Sequence, residues 1–333
     1  MTEITGSSAP TPSEMQPNKE PSTFLERVTG VGVGVGKALL MPTLALIISL
    51  IIGAIIIAMT DLKALALLKE DFLGAIKLMA DGVWLAYTAM FSGAFGSIYA
   101  LSETLFAATP LILAGLSVAL GFRAGLFNIG VSGQMLMGGM AAVWVGLNLN
   151  LPGYLHLPLA LLVSILGGAI YAGLSGFLKA RTGAHEVITT IMLNFVAFYF
   201  VEYLLKTPVF QDPDRNNPIS DTLPPSVRLP EMFGGGYRVS FGLLIAIAAV
   251  FFALWLLYRS TLGFEFRAVG YNPTASRYAG MKVPTLYVLV MAISGALAGL
   301  AGANQALGTS PYHVTSAFAG TIGFDAIALA LLG

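Results

Sequence analysis

Charged residues vanish from this chain over three long windows, Ala38 to Thr60, Ala124 to Leu178 and Val283 to Phe324. A helix rises about 1.5 Å per residue, so about 20 apolar residues cross a hydrocarbon core about 30 Å thick. The middle window therefore holds two crossings, with a turn at Leu151-Pro152-Gly153-Tyr154-Leu155-His156-Leu157-Pro158. Helix breakers there argue against one long buried helix of a soluble domain. Read this way, the pattern predicts an all-α, polytopic transmembrane bundle with spans at 38–59, 105–121, 127–147, 159–178, 187–205, 239–258 and 283–303. An eighth element, 319–333, runs off the end of the chain in mid-helix, so the natural protein is expected to continue. A weaker candidate, 83–101, suits either a crossing or a helix lying at the interface, because serines and glycines interrupt it and Asp81 and Glu103 flank it.

Composition points the same way. Hydrophobic residues make up 56% of the chain and charged ones 10%, against roughly 25% charged in an ordinary soluble domain. Zero formal net charge gives no reason to expect nucleic acid. The absence of cysteine removes disulfides, thiolate metal sites and a cysteine nucleophile. Residues 1–29, rich in Pro, Ser, Thr and Glu, are expected to form a disordered cytoplasmic tail ahead of a permease domain over 30–333. No basic start runs directly into an apolar stretch, so no cleaved signal peptide is expected.

Basic residues in short loops mark the cytoplasmic side. If 83–101 does not cross, Arg123, Lys179, Arg181, Arg259, Arg267, Arg277 and Lys282 all fall inside, with the N-terminus. The acid-bearing segment 206–238 is then an external loop and 259–282 a cytoplasmic one. Small residues cluster at Gly167, Gly168, Gly173 and Gly176, and at Gly295, Gly299 and Gly302, where helix backbones can approach closely.

Three stretches carry candidate chemistry. From Gly121 to Met135, the polar and small residues Gly125, Asn128, Gly130, Ser132, Gly133 and Gln134 interrupt the apolar pattern. Non-helical backbone at membrane depth is tolerated only against protein or a water-filled path, so this is a broken or re-entrant helix beside a substrate route, or a tight cytoplasmic turn. In the second stretch, Glu186, Thr190 and Asn194 are spaced by four and share a helix face. An unpaired Asn194 amide would cost several kcal/mol in hydrocarbon, so it either bonds a neighbouring helix or lines a cavity; Asn304 and Gln305 pose the same choice. In the third, Asn272 followed by Pro273 reads as the capped start of a short cytoplasmic helix, either a solvated linker or a docking element.

Catalytic signatures are missing. Gly32, Gly34 and Gly36 precede Lys37, but Val31 and Ala38 occupy positions where a phosphate loop needs glycine and a hydroxyl. His156, His185 and His313 have no metal-ligand spacing, and no metal site is expected. Isolated carboxylates such as Glu186, Glu202 and Asp325 suit orienting or pairing better than catalysis.

The segments Ala108–Ser117, Gly121–Gln134, Glu186–Asn194, Thr261–Gly280 and Gly323–Gly333 together resemble the larger permease subunit of bacterial nucleoside and simple-sugar ABC importers. That group, within the branched-chain-type permease superfamily, works with a basic-membrane-protein-type lipoprotein, and the resemblance covers about Ile98 to Gly333. Ser132 stands where the group commonly has Glu. The resemblance implies a non-enzymatic subunit of the bacterial inner membrane that pairs with a second permease. An ATP-binding subunit, which alone uses ATP and Mg, and an external substrate-binding lipoprotein complete the system. It further implies that Asn128, Gln134 and Asn194 lie near the path of a small neutral solute, a nucleoside or else a sugar. Ser132, Thr190, Asn304 and Gln305 are added to that path as polar residues of the same stretches and of the outer end of the span 283–303. Arg267, Gly270, Asn272, Pro273, Arg277 and Gly280 would belong to the segment touching the ATPase. A secondary transporter is the alternative, though such carriers often place coupling carboxylates near mid-membrane.

Overall fold

A computed structural model describes residues 24–234 and 236–332, with side chains described from Leu40 onward except Met41. The chain divides into two compact units after Thr88. The first contains α1 (Phe24–Thr60), α2 (Leu62–Leu67) and most of α3 (Phe72–Phe95). Of the expected tail, residues 1–23 lie outside the described residues, while 24–29 are already helical. No residue of the apolar stretch Pro42–Thr60 is buried, as suits a helix surrounded by lipid. Asp61 separates α1 from α2 by capping, its carboxylate accepting from Lys63 N at 3.0 Å and Ala64 N at 3.2 Å. The Tyr87 hydroxyl, on α3, donates to Leu50 O of α1.

The second unit is a helical bundle: α4 (Ile98–Arg123), α5 (Val131–Asn148), α6 (Gly153–Thr182), α7 (Glu186–Leu204), α8 (Gly242–Arg259), α9 (Thr261–Tyr271), α10 (Pro273–Tyr278), α11 (Val283–Gly308) and α12 (Ile322–Leu332). Among the described residues, six helices are long and apolar enough to cross a membrane: α1 from Pro42, α4, α6, α7, α8 and α11. α5 falls outside this set because its glycines and Gln134 dilute its apolarity, and α12 is shorter. The weak candidate 83–101 is divided at Gly96 and Ser97. α3 stops at Phe95, and Ser97 caps α4 by accepting from Ala100 N at 3.0 Å. α4 thus begins well before residue 105. The charge that masks its start, Glu103, is paired with Arg238 at 3.0 Å.

At the centre, α11 packs most extensively against α6 and then α5. These helices touch backbone to backbone. A Cβ on Gly168 would meet Gly295 O at 2.2 Å, one on Gly299 would meet Ser164 O at 2.3 Å, and the Ser164 hydroxyl donates to Gly299 O at 2.6 Å. Glycine lets the axes close to a distance that dispersion rewards even where lipid supplies no hydrophobic drive. The 205–241 segment is irregular and folds back on the chain through isolated bridges, including Ile219 with Thr315. Two buried clusters result. The larger centres on α4, α5 and α11, and the smaller joins Leu120, Leu126, Phe266, Val269 and Leu286 near α9.

Candidate translocation site

α4 ends in a backbone device set by Gly125, whose φ of 71° is open to glycine at little cost. Leu126 N donates to Gly121 O at 2.9 Å and Gly125 N to Phe122 O at 3.0 Å, the paired bonds that close a helix C-terminus. Non-helical backbone then runs to Gly130 before α5 begins. Side chains from other elements hold its polar groups. Ile129 N donates to Thr190 Oγ1 at 3.3 Å, the Asn194 amide donates to Ile129 O at 2.8 Å, and Asn194 Oδ1 accepts from Gly133 N at 2.8 Å. The polar face of α7 thereby satisfies backbone groups that a helix start leaves without partners.

Asn128 and Gln134 form a closed pair. Asn128 Nδ2 donates to Gln134 Oε1 at 3.1 Å and Gln134 Nε2 to Asn128 Oδ1 at 2.9 Å, while Gly130 N also donates to Asn128 Oδ1 at 3.0 Å. The pair extends to α11 and back to α4. Asn128 Nδ2 donates to Ser294 Oγ at 2.9 Å, which donates to Ser117 O at 2.7 Å. Since that uses the only Ser294 proton, Ser117 Oγ is the donor in the 2.9 Å contact between the two hydroxyls. Asn128 is fully buried, at 0% exposure. This network ties α4, α5 and α11 at one level of the bundle.

Ser132 differs. Its hydroxyl is buried without a hydrogen-bond partner, and a Cβ on Gly323 would meet it at 2.1 Å. Ser132 and Asn194 also line an open groove of about 400 Å³ between α5, α7, the 316–320 segment and α12, whose walls include Phe195, Phe198, Tyr199 and Phe324. The structure therefore gathers Asn128, Ser132, Gln134, Thr190 and Asn194 around the helix break. Asn304 is not among them. It lies about 15 Å further along α11 than Ser294, by helix rise, where its amide abuts Gly242 at the start of α8 and its nitrogen is buried without a hydrogen-bond partner. Gln305, its neighbour on α11, is half-buried and joins no bond of the network.

The expected coupling segment forms α9 and α10. Asn272 Oδ1 caps α10 by accepting from Ala275 N at 3.0 Å, Pro273 fills the first helical position, and Gly280 ends the element with φ 88°. Gly270 is pressed on the α4 terminus, where a Cβ would meet Arg123 O at 2.4 Å. Arg267 lies over the Tyr258 ring at 5.4 Å, and Tyr271 is 96% exposed. The same part of the bundle carries the Lys179–Glu186 ion pair at 2.5 Å, which joins α6 to α7, with Lys179 also 5.5 Å from the Tyr287 ring of α11. The remaining carboxylates singled out in the sequence are paired locally: Glu202 with Lys206 at 2.8 Å, and Asp325, which accepts from Thr321 Oγ1 at 2.7 Å.

A polytopic bundle with a broken helix, a groove beside the break and a compact element braced against it defines a membrane permease subunit. The chain belongs to the family described as branched-chain amino acid transport system / permease component, whose model matches residues 100–333, and within it to the larger permease subunits of ABC systems for nucleoside and sugar uptake. It is 42% identical over 298 residues to the guanosine ABC transporter permease protein NupP of Bacillus subtilis, covering 89% of this chain and 79% of that one. It is 40% identical to the glucose ABC transporter permease protein TsgB13 of Haloferax volcanii, covering 82% and 73%. The nucleoside ABC transporter permease protein NupB of Lactococcus lactis is 36% identical, with 81% and 76% covered. No solved structure matches with significance. The chain is a multi-pass, non-catalytic importer subunit for small polar solutes, nucleosides or sugars.

Sequence reasoning passed over Ser117, Ser294 and the aromatic wall. The serines carried no signal beyond lying in small-residue stretches. Phe195, Phe198 and Tyr199 did carry one, since their i, i+3 and i+4 spacing places three aromatic rings on one helix face, with Phe198 four residues from Asn194.

Proposed function

We propose that this subunit carries nucleosides inward across a bacterial plasma membrane, with the groove beside the α4–α5 break as its half of the path. The supporting observation is the position of that groove, flanked by Ser132 and Asn194 and bounded by non-helical backbone, since such backbone within a membrane is tolerated against protein or along a cavity. Asn128, Gln134 and Thr190 act by holding the break, and Asn304 and Gln305 stand toward the outer end of α11. A second permease closes the groove. The external lipoprotein delivers solute on the side of 206–238, and the ATP-binding subunit docks on the side of 259–282, with the N-terminus in the cytoplasm.

Alternating access follows from this arrangement. ATP binding by the partner moves the element containing Arg267, Gly270, Asn272, Pro273, Arg277 and Gly280. Contact of Gly270 with the end of α4 passes that movement to the break. No covalent step occurs in this chain, and ATP with Mg is consumed by the partner alone. A neutral nucleoside needs no counter-charge, consistent with a groove lining that holds no charged residue. Glucose is the second reading, favoured by the relative from Haloferax volcanii.

The test is uptake by the complete reconstituted importer in liposomes. Labelled guanosine is expected to accumulate only with ATP on the cytoplasmic side, and glucose is not. Accumulation of glucose in its place moves the substrate to the sugar reading. Uptake driven by an ion gradient without ATP overturns the importer mechanism.

A further inference from the structure

We infer that the groove between α5, α7 and α12 selects its solute by the flat face of an aromatic ring, through Phe195, Tyr199 and Phe324, and not by a network of hydrogen bonds to sugar hydroxyls. The inference rests on the nucleoside reading above and goes on to say which part of the nucleoside is recognised.

Hydrogen-bond accounting carries the argument. A free sugar is coated with hydroxyls, and each one taken out of water without a partner costs free energy. A groove built for sugar therefore needs a dense set of unengaged polar side chains. This one lacks them. Asn194 is held at both ends of its amide by Gly133 N and Ile129 O, and Asn128 and Gln134 are closed on each other and on Ser294. The lining contains no Asp, Glu, Lys, Arg or His; the Ser132 hydroxyl is buried, so the polar groups left to meet a solute are the hydroxyls of Ser316 and Tyr199 and the second amide N–H of Asn194.

Aromatic surface is what the groove offers instead. Phe195 and Tyr199 stand one turn apart on α7 and are 57% and 64% exposed, and Phe324 faces the groove from α12. The Tyr199 ring is steadied edge-on by Phe198, with centroids 5.5 Å apart and an interplanar angle of 80°. A nucleobase presents a π-face that stacks on such rings, whichever base it is. Only a few hydroxyls are then needed for the ribose.

The experiment uses the complete importer in liposomes, with the same lipoprotein in every preparation, so that a difference between variants belongs to the permease. Tyr199→Leu and Phe195→Leu are each expected to lower kcat/KM for uptake, measured with labelled guanosine, by about tenfold, in the range of base stacking on one ring. Tyr199→Phe and Phe195→Tyr keep the ring and are expected to stay within about twofold of the unaltered complex. As an independent measurement, 8-azidoguanosine is photo-crosslinked to the unaltered complex and the label is expected on peptides from 186–204 or 322–332. If the unaltered complex imports no guanosine, the nucleoside reading falls and this inference with it. If guanosine is imported but both leucine variants stay within twofold, the inference alone is overturned. Equal losses in leucine and ring-keeping variants, or a label elsewhere in the chain, overturn it as well.

Discussion

Two polar regions lie side by side at the α4–α5 break, and they differ in how completely their polar groups are satisfied. In one, Asn128, Gln134, Ser294 and Ser117 bond to one another so fully that the shared proton directions follow from the count of donors. In the other, the Ser132 hydroxyl has no partner, although it is as thoroughly shielded from water. A satisfied buried network rigidifies its surroundings, whereas an unsatisfied group carries a desolvation cost that no bond offsets. Polarity inside a membrane protein is therefore not one signal. The amides that stand out most in the sequence brace the break, while the groove beside them is mainly aromatic.

Four substitutions can break or sharpen that contrast. The largest effect is expected at Gly270→Val, where even a Cβ would stand 2.4 Å from Arg123 O. ATP-driven uptake should fall to background while the chain still inserts in the membrane; normal coupling between hydrolysis and uptake would remove Gly270 from the path of force. Next is Asn128→Leu, which strands Gln134 and a Ser294 acceptor in a buried site and should cost about 3 kcal/mol. Thermal unfolding of the detergent-solubilised complex would report it, and an unchanged midpoint would mean that the network braces nothing.

Gly323→Ala should come third, at about 1 to 3 kcal/mol, because its methyl collides with Ser132 Oγ and must push α12 away from α5. Combining it with Ser132→Gly should recover only part of the loss, because Ser132 N and Cα would still stand 2.5 and 2.9 Å from the methyl. Strict additivity in that double-mutant cycle would contradict the contact. The smallest effect is expected for Ser132→Ala, which deletes an unpartnered hydroxyl and should leave stability unchanged or raise it by up to about 1 kcal/mol. A clear loss of stability would show that the hydroxyl has a partner after all.

Much of the bundle was legible from charge-free windows alone, because a membrane helix must be long and apolar whatever it packs against. The start of α4 was not, since residues 98–101 were assigned to the weak candidate 83–101 and Glu103 separated them from the span read from 105, and only the fold brings Arg238 to Glu103. α5 was read as a span beginning at Phe127, but helix begins at Val131 after the Gly125 terminus. Pattern reasoning located the break through its glycines and could not say which groups held it, because the partners come from α7 and α11, far away in sequence. The i, i+4 face of α7 could be read in advance; Ser294 could not, since nothing local separates a serine that completes a network from one that merely packs.

The contact of α6 with α11 constrains how such a subunit can change shape. Their main chains meet where not even a methyl group fits between them, so neither helix can slide or roll on the other without collision. Any cycle must carry the two as a single strut. Bending is left to joints where a side chain would meet nothing, such as Gly183, Gly280 and Gly320, each already in a left-handed conformation at a helix end or in the segment before α12.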